Sequence, residues 1–186
     1  MTLLRAVCFS LLIAASTSTA SAQLLVLGEG DAAQCYRYAK QGNTGGRSAI
    51  KTCKAALEQA ITTKDRAATH VNRGILLMRK EKHVQAIKDY QAALKLRPEL
   101  TEAYVNLAAA QIHLDRLDDA LISLNTALED ETSTTRPAAL VNRAILYDRQ
   151  EKYNLAYRDL KTAKLLNPDW DMIDALLAHY IVTPKT

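Results

Sequence analysis

Residues 70–98, 104–132 and 140–168 of this chain can be laid over one another. In each stretch an asparagine opens a short cluster: Asn72-Arg73-Gly74, Asn106-Leu107-Ala108 and Asn142-Arg143-Ala144. Twelve residues after the cluster comes a small residue (Ala86, Ala120, Ala156), and seven further on another (Ala93, Ala127, Ala163). Two of the stretches end in proline, at Pro98 and Pro168, and the offsets between copies are 34 and 36 residues. A fixed period of this size restricts the fold severely. Each copy is a two-helix unit that cannot bury its own apolar face, so the copies must stack and share one continuous core. Such arrays offer a surface for holding other chains.

The apolar spacing predicts helices at about 31–41, 47–61, 67–80, 84–97, 101–114, 118–130, 137–150, 154–166 and 169–180. Asp65 is placed to cap the third, and Pro137 to start the seventh. The stripe Ala49, Ile50, Cys53, Ala56 and Leu57 repeats the spacing of the later second helices, so the first pair is a degenerate fourth copy. Small residues let antiparallel helices approach to about 8 Å. Gly74 is therefore set against Ala86, Ala108 against Ala120 and Ala144 against Ala156, while Tyr90, Leu124 and Leu160 are expected in the seams between units. Glu81-Lys82, Asp115-Arg116 and Glu151-Lys152 read as solvated turns. Trp170, Ile173, Leu176, Leu177 and Tyr180 give the last helix one apolar face, which suits it to cap the stack.

The first 22 residues have a different character. Arg5 supplies a positive start, residues 6–15 are apolar but too short to span a bilayer, and Ala20-Ser21-Ala22 has the small-x-small form read by signal peptidase. Cleavage after Ala22, export and a periplasmic location are the expectation. In an oxidising compartment Cys35 and Cys53 would tend to close a disulfide, with two buried thiols as the alternative. The 24 basic and 20 acidic residues, a net charge of +4, are interspersed along helices. That pattern reads as solvated faces and not as a polyanion footprint.

The repeated small, aromatic-or-leucine and proline positions resemble the tetratricopeptide repeat. The resemblance implies an all-α fold: a right-handed superhelical stack of antiparallel helix pairs with a C-terminal capping helix. It divides the chain into a leader (1–22), a degenerate first pair (23–66), three repeats (67–100, 101–136, 137–170) and a cap with its tail (171–186). His70, Tyr104 and Leu140 stand where such repeats usually carry tryptophan, and Thr132 where they carry the terminal proline. Cys35 and Cys53 fall on opposite helices of the first pair, nearly equidistant from its turn, so a disulfide there would staple the weakest repeat.

Little in the chain points to catalysis. There is no phosphate-binding glycine loop, no Gly-x-Ser-x-Gly and no Cys-x-x-Cys, and the four histidines lack ligand spacing. No enzyme activity, cofactor, metal or small-molecule substrate is expected, nor nucleic-acid binding or stable membrane insertion. Asn72, Asn106 and Asn142 carry a different message. They recur once per repeat on the first helix of each pair, which in tetratricopeptide arrays lines the concave surface. A carboxamide both donates and accepts, so such a row could hold the backbone of an extended peptide. It could equally satisfy neighbouring backbone groups.

Val71, Val105 and Val141 precede the asparagines. Ile75 and Ile145 follow three residues on, then Met78, and then Arg79, His113 and Arg149. The groove so drawn is apolar with a basic edge, suited to hydrophobic and acidic side chains or a free carboxylate. The two arginines also read as solvated helix ends that favour the macrodipole. Chaperone-binding tetratricopeptide domains have a carboxylate clamp that wants Lys and Asn where Val71 and Ile75 stand, which this chain lacks. The expected function is a peptide-holding scaffold. The alternatives are an assembly factor working through its convex face or cap and, further off, an envelope hydrolase.

Overall fold

The computed structural model describes residues 30–41, 46–59 and 62–180. The expected leader and the end of the tail lie outside the described residues. Among those described are nine α-helices and no strand: α1 (Asp31–Lys40), α2 (Gly46–Glu58), α3 (Thr63–Met78), α4 (His83–Leu96), α5 (Thr101–His113), α6 (Leu117–Glu129), α7 (Arg136–Arg149), α8 (Tyr153–Leu166) and α9 (Asp171–Ala178). Most boundaries fall within two residues of the periodicity. The exceptions are α2, which ends at Glu58 and not near 61, and α3, which starts at Thr63 because Thr62, not Asp65, is its cap. The Thr62 hydroxyl accepts from the Asp65 N–H at 3.1 Å and donates to the Asp65 carboxylate at 2.7 Å. Pro137 does sit in the first turn of α7.

Each helix packs most closely on its partner in a hairpin: α1 on α2, α3 on α4, α5 on α6, α7 on α8. Between hairpins the odd-numbered helices also touch in succession (α1 with α3, α3 with α5, α5 with α7), while the even-numbered ones make no contact of that extent. Two layers of unequal spacing bend the stack, which places α3, α5 and α7 on its inner side. The structure is thus the helical solenoid that the repeat implies.

Alanines make the close approach possible: Ala86, Ala93, Ala120, Ala127, Ala156 and Ala163 are all at most 1% exposed. The Gly74 contact differs from the expected one. A Cβ there would run into the ring of Tyr90, in the same hairpin, with no closer neighbour. Tyr90 therefore packs inside its own unit and not only in a seam. The wider ring demands the glycine; at the equivalent positions of the next two repeats stand Ala108 with Leu124 and Ala144 with Leu160, all buried.

The three intra-hairpin turns are built alike, and more tightly than solvated turns need to be. Glu81, Asp115 and Glu151 all adopt the left-handed conformation, with φ of 58°, 58° and 59°. The next residue donates back to the helix end: Lys82 N–H to Leu77 O at 2.9 Å, Arg116 to Gln111 O at 2.9 Å, Lys152 to Tyr147 O at 2.8 Å. This is the Schellman closure, which satisfies helix-end carbonyls.

Two hairpins are also bridged by charge. Arg73 holds Asp89 through two hydrogen bonds, the Nε one at 2.8 Å, and His70 Nδ1 lies 2.9 Å from the same carboxylate. Arg143 holds Asp159 at 2.7 and 3.0 Å. Both aspartates are 3% exposed, so each buried charge has its counter-charge. In the central hairpin the corresponding pair is Leu107 and Ser123, and Ser123 donates to Gln111 instead at 3.0 Å.

The ends are closed by different means. Cys35 and Cys53 form a disulfide across α1 and α2. At the other end α9 buries Ile173 and Leu176, and the Tyr180 hydroxyl donates to Asp148 at 2.6 Å.

Candidate functional site

Asn72, Asn106 and Asn142 stand at one equivalent position on α3, α5 and α7, the inner helices. They are 1%, 8% and 4% exposed. The Nδ2 of each is buried without a hydrogen-bond partner. A buried donor without an acceptor costs about 1–3 kcal/mol. The chain carries that cost three times, once per repeat.

The neighbouring apolar residues are not where the sequence put them. Val71, Val105 and Val141 are 0%, 0% and 1% exposed, Ile75 and Ile145 are 5% and 4%, and Met78 is 7%. They belong to the core clusters and form no groove wall. The reason is the contact between successive inner helices. Val71 and Ile75 lie four residues apart on one stripe, as do Val141 and Ile145, and burial in the core takes that stripe. What remains toward solvent is the row Arg79, His113 and Arg149, all half-buried.

This row is less basic than its composition. Arg149 donates from Nη1 to Ile112 O at 2.8 Å, closing the end of α5, and lies 3.8 Å from the exposed Asp115 carboxylate. It thus places a cation at the C-terminal end of α5. His113 stacks on His83, rings 4.5 Å apart and 11° from parallel. Burial, then the neighbouring His83 and Arg149 charges, push its pKa down from 6.5 to about 4, so it is neutral near pH 7. His83 Nδ1 is in turn 3.4 Å from the Met78 sulfur. Arg79 stands apart. Its Nη1 is buried and meets no acceptor, and burial holds its pKa below the ordinary arginine value.

The sequence reading missed the Arg73–Asp89 and Arg143–Asp159 bridges, and took His70 for an ordinary half-exposed side chain. The signal existed: in the first and third copies an arginine precedes an aspartate by 16 residues, and in the second copy neither is present. On the outer side, Ile50, Leu77, Lys51, Lys54 and Lys88 line a cleft of about 320 Å³ next to Asp89. That carboxylate is already taken by Arg73 and His70, and no cluster of free acid and base groups converges there. Among the described residues no group of three or more His, Cys, Asp or Glu is placed to hold a metal ion, and no helix is long and apolar enough to cross a membrane.

A curved stack of two-helix units with a row of side chains along its inner side defines the class of helical-repeat scaffolds. Residues 67–100 match the model of the tetratricopeptide repeat family. The chain is also similar to sperm-associated antigen 1 of Rattus norvegicus, 35% identical over 95 residues. That stretch covers 51% of this chain and 10% of the relative, so the chain spans a small part of that protein's length. The family match supports a tetratricopeptide repeat at residues 67–100, and repeats of this kind indicate a scaffold for protein–protein interaction.

Proposed function

We propose that the chain holds an extended segment of another protein along the inner faces of α3, α5 and α7, with Asn72, Asn106 and Asn142 pairing with the backbone of that segment. The single observation that supports this reading is the set of three buried Nδ2 groups without acceptors. The χ2 torsion of asparagine is broad and soft, so each carboxamide can turn its donor and acceptor toward a bound strand. Peptide carbonyls would supply what the fold leaves out, whatever side chains the segment carries. The working compartment in this reading is oxidising, the periplasm, and the support for that is the Cys35–Cys53 disulfide.

The test is capture from envelope extract by the full chain, compared with the same capture by a variant carrying Asn72→Ala, Asn106→Ala and Asn142→Ala. The partner should be lost from the variant while its helical content holds and its unfolding midpoint does not fall. Undiminished capture by a folded variant would remove the proposal. A second reading, assembly through the capped end, has its own support. Leu165 and Leu166, at the end of α8, are 81% and 49% exposed. On that reading Leu165→Ser with Leu166→Ser, and not the asparagine changes, abolishes capture.

A further inference from the structure

We infer that Arg79 seats a carboxylate of the bound segment and so fixes its register; the inference rests on the peptide-holding reading above. Seven arginines among the described residues are half-buried, and six of them meet an acceptor. Arg66 reaches Leu57 O at 2.6 Å, Arg97 Glu99 at 2.7 Å, Arg136 Leu128 O at 2.9 Å and Arg149 Ile112 O at 2.8 Å. Arg73 and Arg143 hold Asp89 and Asp159. Arg79 is the seventh, and its Nη1 is both buried and unpartnered. A guanidinium N–H drawn out of water without an acceptor is an expensive arrangement, and the other half-buried arginines among the described residues avoid it.

Position and charge narrow the ligand. Arg79 is the C-terminal cap residue of α3, about two turns beyond Asn72 on the inner helix. An anion bound there also meets the negative end of the α3 dipole, which opposes a doubly charged group. No second cation is available in that row, since His113 is neutral and Arg149 is engaged at Ile112. A phosphate would want several donors or a helix N-terminus. A single carboxylate, with two oxygens matched to the planar fork of one arginine, fits what is present. The site lies apart from Val71 and Ile75, the positions a carboxylate clamp would use. The carboxylate can come from the C-terminus of the segment or from an Asp or Glu side chain.

The experiment uses the immobilised full chain and a library of random acetylated octapeptides, made once with free C-terminal carboxylates and once as amides, with retained peptides sequenced by mass spectrometry. Wild type should enrich carboxylate-bearing peptides by roughly tenfold over acid-free amides, the scale of one charge-assisted pair. Arg79→Gln should erase that preference, and Arg149→Gln should keep it. Enrichment confined to the free-acid library assigns the C-terminus, and enrichment of Asp or Glu in both libraries assigns a side chain. Arg79→Lys, which keeps the charge and the helix, should retain only part of the preference. An unchanged preference in folded Arg79→Gln or an undiminished one in Arg79→Lys overturns the inference. If wild type retains no peptide, the inference and the reading beneath it fall together. If the triple asparagine variant retains the full set while Arg79→Gln loses its preference, the asparagine reading alone falls.

Discussion

The ring of Tyr90 fills the space into which a side chain on Gly74 would project. The pair is a size match within one hairpin: glycine with tyrosine in one repeat, alanine with leucine in the next two. Gly74→Ala should therefore destabilise, although alanine is the better helix former. Overpacking costs about 1–3 kcal/mol, and helix propensity returns up to about 1. Adding Tyr90→Leu to Gly74→Ala should recover most of the loss, because the combination recreates the Ala108–Leu124 pairing. Urea unfolding of the two single variants and the double variant measures the coupling, and strict additivity would contradict the size match.

Glu81, Asp115 and Glu151 are left-handed residues with side chains, in turns where glycine has no steric penalty. Relief of about 1–2 kcal/mol in the folded state is set against about 0.5–1 of extra chain entropy in the unfolded state. Each change to glycine should then stabilise by about 0.5 kcal/mol. The three turns belong to separate hairpins, so the gains should add. A thermal melt of the triple variant checks this, with a lowered midpoint as the contrary result.

Asp89 and Asp159 balance half-buried arginines across the α3–α4 and α7–α8 hairpins. Removing one partner strands the other charge, at a cost of about 3–5 kcal/mol. Asp89→Ala and Asp159→Ala should both fall in that range by chemical unfolding. Ser123→Ala, at the corresponding central position, should cost only about 1, the worth of one neutral hydrogen bond. Equal losses at all three sites would show that the bridges are not what holds the outer hairpins.

His113 supplies a pH dependence. Its pKa falls from an ordinary 6.5 to about 4 in the folded chain. Between those values the unfolded chain binds the proton more readily, so stability is fully present above about pH 6.5 and lost as the pH falls toward 4. Urea midpoints should drop between pH 7 and pH 5, and His113→Leu should flatten that part of the curve. A curve unchanged by the substitution would place the acid sensitivity elsewhere.

Reducing the Cys35–Cys53 bond frees a loop with a sequence separation of 18. The chain-entropy model puts the loss near 3 kcal/mol. The effect should be local, because a stacked array transmits contacts only between neighbours. Amide exchange on addition of reductant should rise first in α1 and α2, and a uniform rise along the chain would count against that.

The stack was legible because its signal is repeated. One helix pair is ambiguous, but three copies of Gly/Ala, Ala and Ala at fixed offsets are not. The capping of α3 by Thr62 was harder to see, since Asp65 is as good a cap and only the backbone N–H geometry separates them. The candidate site was legible in part. The asparagine row follows from periodicity, whereas the burial of Val71, Val105 and Val141 depends on how closely successive inner helices approach, which no single repeat encodes. The isolation of Arg79 and the engagement of Arg149 are likewise three-dimensional facts. The two occupy the same repeat position and differ only in whether a carbonyl lies within reach.

The absence of an arginine–aspartate bridge in the central hairpin has a mechanical consequence. A curved rod bends where its cross-ties are weakest. Here the ties are ionic on either side and a single hydroxyl–amide contact in the middle, between Ser123 and Gln111. Any opening or tightening of the curve to accommodate cargo would fall first on α5 and α6, with the flanking hairpins turning about them as stiff arms.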